Sequence, residues 1–247
     1  MNKKTARLSR RSPDEGPELV LAPLAWLKLQ FLLHAGETEI GGFGVSHGQN
    51  LLYIEEVAII SQRNTSVSVE FDDTAVADFF DEMADRGIPA QRFMRIWMHT
   101  HPGDSAQPSG LDEDTFVKAF GQCDWALMFI IARSGEIYAR LRVRGGPGAE
   151  VIIPVRIDWP AWPRLAYELA DRFPGMIRQW ADEYLQRIHP VPFASGLTPS
   201  TAAKDMVSGV AMDDAFIEPE WREYMEELAM QEEAERQMAL AEQEVVR

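Results

Sequence analysis

The chain has 247 residues, 46% of them hydrophobic, and a formal net charge of −15. This length and apolar content predict one domain of ordinary size with extensions, large enough to bury a core. The negative charge argues against a nucleic-acid-binding role. The single cysteine, Cys123, excludes an intramolecular disulfide and favours a reducing, cytoplasmic location. No run of residues is apolar for long enough to predict a membrane span.

Charge is distributed unevenly along the chain. Residues 1–17 carry five basic side chains and no apolar run of the signal-peptide type, which predicts a disordered basic arm. Residues 213–247 contain twelve acidic residues against three arginines. Most of the negative charge therefore lies outside the part of the chain that is predicted to form the core.

Hydrophobic periodicity predicts an α/β domain over residues 18–158. Alternating or continuous apolar runs indicate strands, and apolar residues at helical spacing indicate helices. Strands are predicted at 18–22, 39–46, 51–61, 66–71, 93–98, 125–132, 136–144 and 150–157, and helices at 24–34, 72–86 and 111–120. This order of elements predicts a mixed β-sheet sandwiched by helices.

Several local features refine these strands. Residues 62–64 are polar and are predicted to form a turn between two strands. Glycines at 41, 42 and 44 predict the close approach of another backbone or a ligand. Pro154 lacks a backbone donor, so its strand should lie at an edge or contain a bulge. The arginines at 140, 142 and 144 share one strand face, which is either solvated or a site for an acidic partner.

Beyond the core, three further regions are predicted. Residues 159–189 form a helical extension packed on the core, with two helices separated at Pro174-Gly175. Residues 190–217 are poor in large apolar side chains and form a linker. Residues 218–247 form an acidic helix, whose short apolar stripe either docks a protein partner or packs on the same chain. The stripe consists of Trp221, Tyr224, Met225 and Leu228.

Two histidines separated by one residue, His99 and His101, follow an apolar run. Residues i and i+2 of a strand face the same way, so both can reach one ion if the strand extends that far. The loop predicted for residues 102–109 returns the chain to Asp112 at the start of a helix. Imidazole and carboxylate groups are ligands of Zn²⁺, and three protein ligands leave a fourth position open.

This stretch resembles the motif of the JAMM metalloprotease family, also called JAB or MPN+, in its prokaryotic type. The motif contains an upstream Glu followed by an apolar residue and Gly, then His-x-His-Pro, and later Ser-x-x-Asp. The matching positions are Glu39-Ile40-Gly41, His99-Thr100-His101-Pro102, Ser109 and Asp112. The resemblance covers approximately residues 19–157.

The resemblance implies a fold, a reaction and a role for each matched residue. The implied fold is the cytidine-deaminase-like JAMM fold. The implied activity is a zinc (iso)peptidase that hydrolyses the bond after the C-terminal Gly of a ubiquitin-like protein or its conjugate. His99, His101 and Asp112 would hold the zinc ion, Glu39 would be the general base, and Ser109 would donate to the oxyanion. The implied partners are the ubiquitin-like protein and an adenylating, E1-like enzyme system.

Three alternatives stay open. Glu37 competes with Glu39 as the base, although it lacks the apolar residue and glycine that follow Glu39. The chain could be a non-catalytic MPN-type scaffold, but such proteins typically lose a ligand of the motif. It could also be a zinc amidase that acts on a small-molecule or peptide substrate.

Overall fold

The computed structural model describes residues 16–191. Within these residues, contacts define two units, one formed by residues 16–107 and 125–191, the other by residues 108–124. The predicted basic arm, linker and acidic helix lie outside the described residues, apart from residues 16, 17, 190 and 191. Within the described range, no helix combines the length and hydropathy that are needed to cross a bilayer.

The described chain contains both strands and helices. In chain order they are β1 (Leu19–Leu21), α1 (Pro23–Ala35), β2 (Ile40–His47), β3 (Asn50–Ile59), β4 (Gln62–Asn64), β5 (Val69–Phe71), α2 (Asp73–Asp85), β6 (Ile96–His101), α3 (Gly110–Phe120), β7 (Trp125–Ala132), β8 (Ile137–Val143), β9 (Ala149–Ile152), β10 (Val155–Ile157), α4 (Trp162–Leu169), α5 (Phe173–Arg187) and β11 (Ile188–Pro190). Helix α3 belongs to the second unit and every other element to the first. The predicted mixed α/β class is confirmed.

The first unit contains a mixed sheet of eight strands in the order β10-β1-β3-β2-β6-β7-β8-β9. Strand β2 is antiparallel to β3 and β6, whereas β6 and β7 are parallel. The two end strands are consecutive in the chain, since only Ile153 and Pro154 separate β9 from β10. The Ile153 N–H donates to Ala139 O on β8, and Pro154 O accepts from Leu19 N on β1. The sheet is therefore curled. The single strand predicted at 150–157 is divided into β9 and β10 around Pro154, and both lie at the ends of the sheet order, in line with the predicted edge position.

Helices α1 and α2 pack on opposite faces of this sheet. Leu29 and Leu33 of α1 share a buried cluster with Met98 of β6. On the other face, the Phe79 ring of α2 stacks 5.9 Å from the Phe43 ring of β2. These two packed layers exclude water from the sheet and make its central strands rigid.

Two glycines of β2 lie close to neighbouring groups, as predicted, but those groups belong to the protein. A Cβ on Gly42 would lie 2.4 Å from Ala58 O, and a Cβ on Gly41 would lie 2.8 Å from Val69 Cγ1. The glycines therefore permit close packing of strands.

Two of the three arginines, Arg140 and Arg142 on β8, share one acidic partner within the chain. The Arg140 and Arg142 Nε atoms each lie 3.5 Å from a carboxylate oxygen of Glu150 on β9. Their side chains are 14% and 24% exposed, so the chain itself supplies the acidic group that faces them.

The structure contradicts two local predictions. Residues 62–64, predicted as a turn, form strand β4 in a second sheet with the order β11-β4-β5. The polar side chains of Gln62 and Asn64 are buried and hydrogen-bonded, which apolar periodicity cannot detect. The break in the helical extension also lies earlier than predicted. Pro174 and Gly175 are in the first turn of α5, where a missing N–H costs little, and the chain leaves α4 after Leu169.

The helical extension packs on α1. Lys28 Nζ lies 2.6 Å from Glu183 Oε2, and the Phe31 and Trp180 ring centroids are 6.1 Å apart. Strand β11 then pairs in parallel with β4. The extension is thus part of the first unit, and its last strand reaches the second sheet.

Candidate metal centre

Strand β6 presents both histidines on one face. All six of its residues are buried, and it is paired with β2 on one side and β7 on the other. His99 and His101 are 1% and 9% exposed, and their ring centroids are 5.0 Å apart. The side chain of Thr100 between them accepts from Ile40 N at 3.1 Å. The strand extends to His101, beyond its predicted end at Met98, so the condition for aligning the two imidazoles is met.

The hydrogen bond at His101 selects the nitrogen that a metal would use. His101 Nδ1 lies 2.9 Å from the backbone oxygen of Ser105. A carbonyl oxygen only accepts, so Nδ1 carries the hydrogen. In the neutral ring Nε2 then has the lone pair, and this arrangement is typical of metal-binding histidines.

Helix α3 begins with a reciprocal cap between Ser109 and Asp112. The Asp112 N–H donates to Ser109 Oγ at 3.1 Å, while Ser109 N and Oγ donate to Asp112 Oδ2 at 2.6 and 2.7 Å. This capping box satisfies donors at the helix start. It also fixes the rotation of the Asp112 carboxylate, because both hydrogen bonds end on the same oxygen.

His99, His101 and Asp112 could hold a metal ion. One ligand atom from each of the three buried residues lies within 4.8 Å of the other two. Ligands on one tetrahedral zinc ion are about 3.4 Å apart, given bonds of about 2.1 Å. The 4.8 Å limit therefore suits a single ion, and two imidazoles with one carboxylate form a donor set that zinc accepts.

A fourth titratable side chain, Glu39, lies beside the histidines. It immediately precedes β2 and is 7% exposed. Ile40 pairs with Thr100, so the register brings Glu39 opposite His101. Glu39 Oε1 lies 3.7 Å from His101 Nε2, which is longer than a hydrogen bond.

The competing carboxylate, Glu37, has a different environment. Its side chain is 86% exposed and lies 2.8 Å from Arg133 Nη1. Glu37 is therefore engaged at the surface, and Glu39 is the carboxylate that the fold brings to His101.

The Ser109 hydroxyl would have to rotate before it could donate to an oxyanion, which is its predicted role. Its hydroxyl hydrogen is donated to Asp112 Oδ2. Donation to an oxyanion would require this hydroxyl to turn away from Asp112. The geometry thus gives Ser109 a second role, which is to hold Asp112.

Sequence analysis missed two residues near the candidate centre, Gln62 and Asn64 on β4. Their side chains are 1% and 0% exposed and bind the backbone of residues 39–41. The available indication was their spacing, because two amides at i and i+2 follow the period of a strand. Cys123, in contrast, is buried as predicted.

No protein-family model matches the chain, and no curated protein matches it.

Proposed function

We propose that this chain is a zinc-dependent peptidase or isopeptidase of the JAMM type, which cleaves after the C-terminal Gly of a ubiquitin-like protein or its conjugate. One observation supports it most strongly. Three buried ligand residues have converging ligand atoms within 4.8 Å, and a separate buried carboxylate, Glu39, lies 3.7 Å from one of them. A hydrolytic zinc site needs both a ligand set with an open position and a nearby base that is not itself a ligand.

In this proposal each residue has a distinct role. His99, His101 and Asp112 hold the zinc ion, which when bound supplies an activated water and polarises the scissile carbonyl. Glu39 accepts a proton on its carboxylate and later donates it to the leaving amine. The backbone oxygen of Ser105 keeps His101 in the tautomer that leaves Nε2 for the metal.

The proposed substrate is an extended glycine-ended tail. Such tails commonly bind by adding a strand to a sheet edge, with main-chain hydrogen bonds supplying affinity. Residues 39–44 begin at Glu39, and the loop at 103–108 lies between His101 and Asp112 in sequence. Strand β2 already has a strand on each side, so we propose that these two segments flank the tail and do not pair with it as a sheet edge. The ubiquitin-like protein would be recognised by this tail together with its folded body.

The test is cleavage of linear and isopeptide-linked fusions of candidate ubiquitin-like proteins. The zinc-loaded protein should release the fusion partner, a chelator should stop cleavage, and added zinc should restore it. His101→Ala should be inactive, whereas His47→Ala, on the same sheet and half-exposed, should keep the parent activity.

The same assay separates the two alternatives. Stoichiometric zinc without cleavage of any fusion or short amide would favour a non-catalytic scaffold. Cleavage of short peptides or small amides, with intact fusions left uncut, would favour a zinc amidase and contradict the proposed substrate.

A further inference from the structure

Residues 39–41 have a neighbouring strand on one side only, and we call them the base segment. On that side Ile40 and Gly41 pair with Thr100 and His99 of β6. On the other side the ladder with β3 begins only at Gly42. A backbone without a partner strand must satisfy its polar groups by other means.

Two side-chain amides replace the missing strand. Gly41 N donates to Gln62 Oε1 at 2.7 Å, and Gln62 Nε2 donates back to Gly41 O at 2.8 Å. Asn64 Nδ2 donates to Glu39 O at 2.6 Å, while Glu39 N donates to Thr65 O at 2.9 Å. The side-chain amide of Gln62 thus accepts from and donates to the backbone of Gly41, as a neighbouring strand would.

The two amides also hold each other. Asn64 Nδ2 lies 2.7 Å from Gln62 Oε1, and Gln62 Nε2 also donates to Ile60 O at 2.7 Å. Gln62 therefore uses its two donor hydrogens and accepts two hydrogen bonds, which is its full capacity. Because its four hydrogen bonds are all made, the buried Gln62 amide is held in one geometry, whereas Asn64 Oδ1 is buried and accepts no hydrogen bond from the described residues.

The outer edge of β4 is held by the helical extension. Ile188 and Pro190 of β11 are paired with Gln62 and Asn64, and Val191 N donates to Asn64 O at 2.7 Å. Arg187, at the end of α5, donates to Ile59 O. The extension therefore ends on the strand that carries both amides.

We propose that Gln62 and Asn64 are positioning residues for Glu39, and that β11 of the helical extension braces them. The effect on turnover rests on the proposed function, but the effect on the base segment does not. A general base must be held within about 0.5 Å of its productive position. The backbone of the base segment, which carries the Glu39 side chain, is hydrogen-bonded to Thr65, Asn64 and Gln62.

The test compares Gln62→Met, which removes four hydrogen bonds at similar volume, with Asn64→Ala, which removes two. Hydrogen exchange of the Gly41 amide should accelerate at least tenfold in Gln62→Met, and the amides of β7 serve as the internal reference. Zinc affinity should stay within about threefold of the parent value. Leu141→Ala, a buried β8 variant, controls for general loss of stability and should leave the Gly41 amide protected.

Kinetics then separate positioning from general destabilisation. Gln62→Met should lower kcat about tenfold or more and change KM less than about twofold. In a Glu39→Gln background the same substitution should lower kcat by less than about twofold, because the two residues act as a unit. Asn64→Ala should show the same pattern with smaller factors.

Three results would overturn the proposal: unchanged exchange at Gly41 in both variants, the same acceleration in Leu141→Ala, or the same loss of kcat with and without Glu39. If the parent protein cleaved none of the substrates, the proposed function would fail. Exchange and zinc affinity would still decide whether the amides hold the base segment.

Discussion

Strand β6 and the base segment provide two parts of the candidate centre, and they are held by different means. Strand β6 is buried along its whole length and has a strand on each side. The base segment has a strand on one side and the amides of Gln62 and Asn64 on the other. The two histidines are therefore fixed by regular main-chain pairing, and Glu39 by particular side chains.

This difference predicts two kinds of sensitivity. Substitutions in β6 should affect the metal itself, because its histidines are ligands in the proposal. Substitutions near the base segment should leave metal binding in place and affect only what Glu39 does. Four experiments test this division, from the largest expected effect to the smallest.

The largest effect is expected for His101→Ala, which should lose the bound zinc. Removal of one of three ligands leaves a pair that cannot complete a tetrahedral site. Elemental analysis of the purified protein should find about one zinc per chain in the parent and in His47→Ala, and almost none in His101→Ala. Stoichiometric zinc in His101→Ala would show that the ion is held elsewhere.

Glu39→Gln should retain zinc and lose hydrolysis. The amide is nearly isosteric with the carboxylate but cannot act as a base, and a general base contributes on the order of 10²–10⁴-fold. Glu37→Gln is the matched control, since Glu37 is exposed and paired with Arg133. Parent-like turnover of Glu39→Gln, together with a loss of turnover in Glu37→Gln, would show that the base is Glu37 and not Glu39.

Ser109→Ala should weaken zinc binding by a smaller amount. It removes the hydroxyl that donates to Asp112 Oδ2, and loss of such a supporting contact typically costs about 10–100-fold in affinity. Loss of the helix cap should also lower stability by about 1 kcal/mol. Competition with a chromophoric chelator measures the affinity, and Ser109→Thr, which keeps the hydroxyl, is the control.

If Ser109→Ala bound zinc like the parent but turned over slowly, the hydroxyl would act on the substrate and not on Asp112. That result would support the oxyanion role implied by the JAMM resemblance. It would also show that Ser109 N, which donates to the same oxygen at 2.6 Å, is sufficient to orient the carboxylate.

The same division explains which parts of the structure could be predicted from the sequence. The β6 histidines were predictable because an apolar run and a period of two determine which way a strand side chain points. Helix α2 was equally predictable, since Asp72 caps it by accepting from Ala75 N at 2.9 Å. Regular elements depend on local patterns that a sequence displays directly.

The base segment was not predictable in this way. Gln62 and Asn64 are polar, so their composition favours a turn, yet both are buried. Their partners lie 21 and 25 residues away, at Gly41 and Glu39. Burial of an amide becomes favourable only when those distant groups satisfy it. No local pattern carries that information, and the same applies to β11, which pairs with a strand more than 120 residues earlier in the chain.

The smallest effect is expected from removing residues 215–247, which lie outside the described part of the chain. The contacts described at the candidate centre join residues between 39 and 112. Truncation after Asp214 should therefore leave the zinc content, the melting temperature and the cleavage of a short fusion nearly unchanged. If the apolar stripe at Trp221, Tyr224, Met225 and Leu228 docks a partner, only binding of that partner should weaken, since such aromatics are frequent interface anchors. A melting temperature several degrees lower, measured against the full chain in the same zinc-loaded buffer, would show instead that this stripe packs on the core. In that case residues 215–247 would contribute to the stability of the fold in addition to β6 and the base segment.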